Sequence, residues 1–210
     1  MARTKVFAKG DALGEVVRSF AVNEEINQLL MERLDPRAWL VNPGPQVRGT
    51  WGKATSLPGP QKRGTGGTQA RTRTIAAIFA HMHHVRRKWV RLSAPHLPLP
   101  AELDRNCTQA QARKALAVSG ARCMEMIEYL LTASPQLNSS LKLNSSPEKR
   151  PKFLRDGWAR AWPAGPMMVA YMITHEAHHR GQVCLLANLL GFKLPGAVTS
   201  GMWRWETLYR

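Results

Sequence analysis

Acidic side chains are scarce in this 210-residue chain, where fourteen aspartates and glutamates stand against thirty lysines and arginines. None falls between Asp35 and Glu102, a span that carries eleven positive charges from Arg37 to Arg91. The formal net charge of +16 attracts polyanions whatever the fold, although solubility and a basic loop are the plainer reading. Cysteine is sparse too. Cys107, Cys123 and Cys184 are odd in number, far apart and never in a CxxC pair, which argues against a disulfide framework. Long apolar runs are missing: the most apolar, Met167 to Ile173, is far too short to cross a bilayer, and the opening MARTKVFAKGDALGEVV lacks the apolar core of a signal peptide. The expectation is a soluble, cytoplasmic protein with no membrane partner. No stretch shows convincing two-residue alternation, which weighs against a sheet protein.

What is present is ordinary globular stock, 44% hydrophobic and 21% charged. Residues 1–210 read as a single domain, large enough to bury about 70% of the surface of its unfolded chain without help from a metal or a disulfide. A metal here would serve function.

Four stretches have helical periodicity. The first covers Ala12 to Leu34, with Val22, Ile26, Leu29, Leu30 and Leu34 on one face, and Asp35-Pro36 stops it. The second opens at Thr74 as N-cap and runs to about Leu92, burying Ile75, Ile78, Phe79, Met82, the stem of Arg86 and Trp89. The third follows Thr108 and carries Ala112, Leu116, Ser119, Cys123 and Ile127 as far as Ser134-Pro135. The fourth has Pro166 in its first turn, then Met168, Met172, His175, His179, Val183 and Leu186 on one stripe, with Gly191 as its stop. Four long amphipathic helices predict an all-α four-helix bundle.

Two connections are of a different kind. Residues 43–73 are rich in glycine, proline and basic residues, and PGPQVRGT at 43–50 returns as PGPQKRGT at 58–65, which predicts a long, mobile loop before the second helix. A second polar loop, 134–152, repeats LNSS and is expected to be solvated. In the tail, Trp203, Trp205 and Tyr209 are expected to pack over an open end of the bundle.

Six of the seven histidines fall in two clusters, HMHH at 81–84 and HEAHHRGQ at 175–182. His175 and His179 are four apart, which on a helix places both rings on one face about 6 Å apart at Cβ, the spacing a divalent cation needs from two ligands. They also lie on the inward stripe, where imidazoles need a hydrogen-bond partner or a metal. His178 lies about 100° round the helix and belongs at the rim. In the second helix, His81 and His83 flank the apolar stripe on opposite sides, and periodicity does not choose between them. His175-Glu176-x-x-His179 also spells the zinc-protease pattern HExxH, but no histidine follows and no strand-rich half precedes it. The plainer reading of Glu176 is a solvated carboxylate paired with Arg180. Cys123, Cys184 and the methionines read as core, and Cys107 as an ordinary residue beside a helix start.

HEAHHRGQV followed by an apolar run and LG resembles the last-helix motif of the DinB/YfiT-like superfamily of four-helix-bundle, metal-associated proteins. IFAHMHHVRRKW resembles its second-helix motif, a histidine followed eight positions later by tryptophan; counting back from Trp89 gives His81. NEEINQLLMERLD and GMWRWE are similar to the first helix and the C-terminal tail. The resemblance implies a three-histidine metal site formed by His81, His175 and His179, holding zinc or nickel. The duplicated loop and the strong positive charge depart from the family pattern.

Three neutral imidazoles leave a coordination position open, which marks a reactive centre rather than a structural one. The expected function is a metal-dependent enzyme of hydrolase or thiol S-transferase type acting on a small molecule or thiol, with Asn23, Glu24, Glu176 and Gln182 as candidate acceptors for the outer N–H groups of the ligands. Two other readings compete with it: weak, non-sequence-specific nucleic-acid binding through the basic loop, and a non-catalytic helical scaffold, expected to be a homodimer.

Overall fold

The computed structural model describes residues 12–42, 73–133 and 152–208. Both PGPQ octets, the LNSS repeats and Tyr209 lie outside the described residues, and of the loop expected at 43–73 only Arg73 is described.

The four expected helices form. α1 spans Ala12–Arg33, and Pro36 turns the chain into a 3-10 turn, Pro36–Ala38, capped by Asp35 Oδ1, which accepts from Arg37 N at 2.8 Å. α2 spans Ile75–Ser93 and opens on Thr74, whose hydroxyl accepts from Ala77 N at 3.1 Å. α3 spans Gln109–Thr132 and starts with a reciprocal cap. There Gln111 N donates to Thr108 Oγ1 at 3.2 Å, and Thr108 N donates to Gln111 Oε1 at 2.8 Å. α4 spans Pro166–Leu189, and Gly191, at φ 83°, supplies the left-handed residue that ends it. Short helices α5 (Gly196–Gly201) and α6 (Trp205–Leu208) follow. A two-residue antiparallel ladder, β1 (Lys152–Phe153) with β2 (Trp162–Pro163), precedes α4. It was not anticipated, because two residues carry no readable alternation, and it takes Lys152 out of the expected loop. Among the described residues no helix is long and apolar enough to cross a membrane.

Each of α1 and α2 packs against both α3 and α4. The core residues show the direction of each helix. One apolar cluster joins Leu30 and Met31 of α1, Ile75 to Met82 of α2, Ala112 and Leu116 of α3, and Val183 to Ala187 of α4. The other joins Val17 and Phe20, Trp89 and Val90, Cys123 to Leu131, and Met168 to Met172. Helices α1 and α4 therefore run one way and α2 and α3 the other. The parallel pair α2–α3 is connected by residues 94–108, which return along the bundle: Arg87 Nε donates to Pro100 O at 2.7 Å, and Trp39 Nε1 donates to Cys107 O at 2.6 Å.

Between the two apolar clusters, every helix contributes a polar position. Asn23, Asn27, Arg86 and Glu176 are all fully buried. Arg86 forks onto Glu176, Nε to Oε1 at 2.6 Å and Nη2 to Oε2 at 2.7 Å, while Oε2 also accepts from Asn23 Nδ2 (2.6 Å) and Asn27 Nδ2 (2.7 Å). Arg180 Nη1 donates to Asn23 Oδ1 at 2.6 Å and Asn27 Oδ1 at 2.9 Å. Arg86 Nη1 donates to Leu116 O at 2.8 Å and also lies 2.6 Å from Glu24 Oε2, a charge contact without hydrogen-bond alignment. Burial pushes the Glu24 carboxyl above its usual value, against the pull of Arg86. For Glu176, burial is outweighed by the charge and hydrogen bonds of Arg86 and the two asparagines, so the carboxyl sits below its usual value.

Removing one member of a buried ion pair leaves the other uncompensated and costs about 3–5 kcal/mol. Arg86→Met is expected to lose that much in urea denaturation, and Glu176→Gln added to it to cost much less than Glu176→Gln alone; additive losses would mean the two charges are not coupled. Gly120 on α3 tests the packing of the same layer. A Cβ there would stand 3.0 Å from Glu24 Cδ and 3.2 Å from Arg86 Nη1. Gly120→Ala, which at an open helical site would stabilise by about 1 kcal/mol, is expected to destabilise. A raised melting temperature would contradict this close approach.

Candidate metal centre

His81 lies two turns into α2, and His175 and His179 lie one turn apart on the neighbouring α4. The three rings meet, with centroids 5.8 Å apart for His81–His175, 4.7 Å for His81–His179 and 4.6 Å for His175–His179. One ring nitrogen from each lies within 4.8 Å of the other two. His179 is buried, and the other two are half-buried.

The surroundings orient these rings. His179 Nδ1–H donates to Gln182 Oε1 at 2.8 Å, which leaves the Nε2 lone pair free, and Gln182 Nε2 donates in turn to Nε2 of the exposed His178 at 3.0 Å. Trp89, fully buried, sets its ring 5.5 Å from that of His175 in an edge-to-face contact and itself packs on Phe153 at 6.0 Å. The tryptophan eight residues after His81 thus supports a histidine on the opposite helix. His175 Nδ1 is buried with no hydrogen-bond partner.

Burial, then the neighbouring His179 and Arg73, push His81 down to about 4. His175 falls to about 4 through burial and then His179, and burial lowers His179 as well. Each shift favours the neutral imidazole, the form that binds a cation. The donor set fits a metal on three counts: neutral imidazoles, a buried ring nitrogen without a partner, and convergence. A four-coordinate ion with nitrogen ligands at about 2.0–2.1 Å holds them roughly 3.3 Å apart, against the spacing of up to 4.8 Å found here.

Other sequence expectations resolve differently. His83 is a satisfied core residue: its Nε2–H donates to Ala101 O at 2.8 Å and Nδ1 lies 3.1 Å from Ser119 Oγ. Glu176 is neither a solvated rim carboxylate nor a partner of Arg180. Its 100° offset from His175 turns it into the interior, where Arg86, Asn23 and Asn27 occupy both oxygens, and it is not placed as a general base. Of the four candidate acceptors for the histidines, Gln182 alone reaches one; Asn23 and Glu176 bond within the Arg86 layer, and Glu24 is in charge contact with Arg86. Arg86 buries its guanidinium along with its stem, because the carboxylates waiting there replace its water. Trp203 does not close the end of the bundle; it is 81% exposed, with Trp205 half-buried beside it. The Arg86 layer was missed, although an arginine on the apolar stripe of α2 and an Asn-Glu-x-x-Asn run on the buried face of α1 were its signals.

A histidine whose value falls from an ordinary 6.5 to about 4 on folding binds protons less readily when folded than when unfolded. Its neutral form costs the fold nothing above pH 6.5, and stability is lost as pH drops from there towards 4. Chelated protein is expected to unfold at lower urea at pH 5 than at pH 7.5, and His81→Phe to lose less on acidification; equal acid sensitivity in the two would refute this assignment.

Residues 66–206 match the family model described as "DinB family". Comparison with curated proteins and with solved structures gives no significant match. The matched segment holds α2, α3 and α4 and with them all three converging histidines, whereas α1, which supplies Asn23, Glu24 and Asn27, precedes it. The match covers more than half of the chain, and the chain belongs to the DinB family.

Proposed function

We propose that His81, His175 and His179 hold one divalent cation, zinc or nickel, with a coordination position left open, and that the protein is a metal-dependent enzyme of hydrolase or thiol S-transferase type. The observation that carries this reading is the approach of three imidazoles from two helices to within 4.8 Å, one of them oriented by Gln182. Such a cation supplies Lewis-acid chemistry, acidifying water or a thiol brought to its open position. The chain's own contribution is to hold the ligands neutral, to fix the His179 ring through Gln182, and to keep one side of the site dry with Trp89 and Phe153. The site opens on a cavity of about 570 Å³ lined by His81 and His179, the size that takes a small molecule.

Metal analysis of protein prepared without an affinity tag is expected to find near one equivalent per chain, and His175→Ala to abolish it. A ligand at a hundred times its dissociation constant adds about 2.7 kcal/mol, or roughly 5–10 °C of melting temperature for a chain of this size. Zinc or nickel should therefore raise the midpoint of the wild type and leave His175→Ala unmoved. A reconstituted wild type that stays metal-free and indifferent to chelator would overturn the reading.

A further inference from the structure

The cavity beside the histidines has two unlike sides. On one, the last turns of α4 present Leu185, 50% exposed, and Leu189, 37% exposed, with Leu186 and Ile78 completing an apolar wall. Large aliphatic side chains left open to water around a concavity are a surface waiting for an apolar occupant. On the other stands Arg73, exposed just before the start of α2. Among the described residues it has no ion-pair partner, and no acidic residue lines the cavity. A second, smaller hollow of about 140 Å³ lies against His81 and is lined again by Arg73, now with Arg105 and His84. Arg105 likewise has no carboxylate partner among the described residues. The mouth of the site thus carries a band of cationic groups, while its floor holds neutral imidazoles and its far wall is leucine.

From this we infer that the site takes a small organic anion with an apolar body, its anionic group on Arg73 and its hydrocarbon part against Leu185, Leu186 and Leu189. The inference rests on the metal reading only for the role of the neighbouring histidines. A guanidinium without a partner gains a charge-assisted pair from a carboxylate or phosphate, and the leucine wall gains what an aliphatic chain loses to water. A cationic ligand gains nothing from the guanidinium, and a polyanion without a hydrocarbon body gains nothing from the leucine wall, so only an anion with an apolar body collects both.

Calorimetric titration of the full chain with octanoate and with its neutral counterpart octanamide tests this, with metal content measured on every sample. Octanoate is expected to bind about 10- to 100-fold more tightly than octanamide. Arg73→Gln should erase that preference while keeping its metal, Leu189→Asp should weaken both ligands, and Arg160→Gln, an exposed charge elsewhere, should change neither. A preference for octanoate that persists in Arg73→Gln places the anion on the cation and overturns the assignment; so does equal weakening by Arg160→Gln, which would mean a general effect of net charge. The two readings fail separately. Arg73-dependent octanoate binding in a chain that takes up no metal sinks the metal centre alone, and metal uptake without octanoate binding sinks this inference alone.

Discussion

The Arg86–Glu176 pair is the constraint on which the rest of the bundle depends. Two unit charges taken out of water are tolerable only if nearly every lone pair and proton finds a partner. Meeting that demand recruits all four helices: Asn23, Glu24 and Asn27 from α1, Arg86 from α2, the Leu116 carbonyl and the space above Gly120 from α3, and Glu176 with Arg180 from α4. An apolar core of leucines alone specifies the register of one helix against another less sharply, because apolar contacts are not directional. A forked arginine–carboxylate pair is directional. It fixes α4 against α2 in height and in rotation.

That rotation decides whether the histidines meet. Glu176 is the residue after His175, and Arg180 the residue after His179, so the pairs 175/179 and 176/180 form two parallel stripes about 100° apart on α4. When Glu176 is held in the interior by Arg86, the histidine stripe must face the outer part of α2, where His81 stands. His83, two residues on, is spent on Ala101 and Ser119 and secures the 94–108 return segment instead. The HEAHHR run thus encodes a histidine face that meets His81 and a structural face at once, and its acidic residue belongs to the second.

Legibility of the sequence followed the physics of each feature. The helices were readable because a 3.6-residue apolar period is a strong, local signal, reinforced at Thr74, Thr108, Pro166 and Gly191 by caps and stops that act within one turn. Within the candidate site, the spacing of His175 and His179 was readable for the same reason, while the choice of His81 over His83 was not: it depends on which flank of α2 faces α4, a tertiary fact, and only the resemblance to a known motif supplied it. The buried polar layer was the hardest to read. Periodicity averages over a helix and treats a charge on the apolar stripe as noise; the partners of Arg86 are up to 90 residues away, and no local rule pairs them. The β1–β2 ladder fails for the opposite reason, being too short to have a pattern at all.

The polar layer and the histidine cluster also differ in what they ask of their surroundings, and the fold separates the two by less than one turn of helix. Ions locked in the interior need complete satisfaction and a dry environment; a cluster of imidazoles that could hold a cation needs ring nitrogens left unspent and a way in. Trp89 marks the border, its ring on His175 and its body among the aromatics of the lower core, so that one side of the histidine cluster is sealed by the same cluster that holds β1. The other side is open towards Arg73 and the leucines at the end of α4. Among the described residues, the side of the histidine cluster away from Trp89 is thus the one that meets a cavity, and the groups that line it with His81 and His179 are an arginine and leucines rather than further ligating side chains.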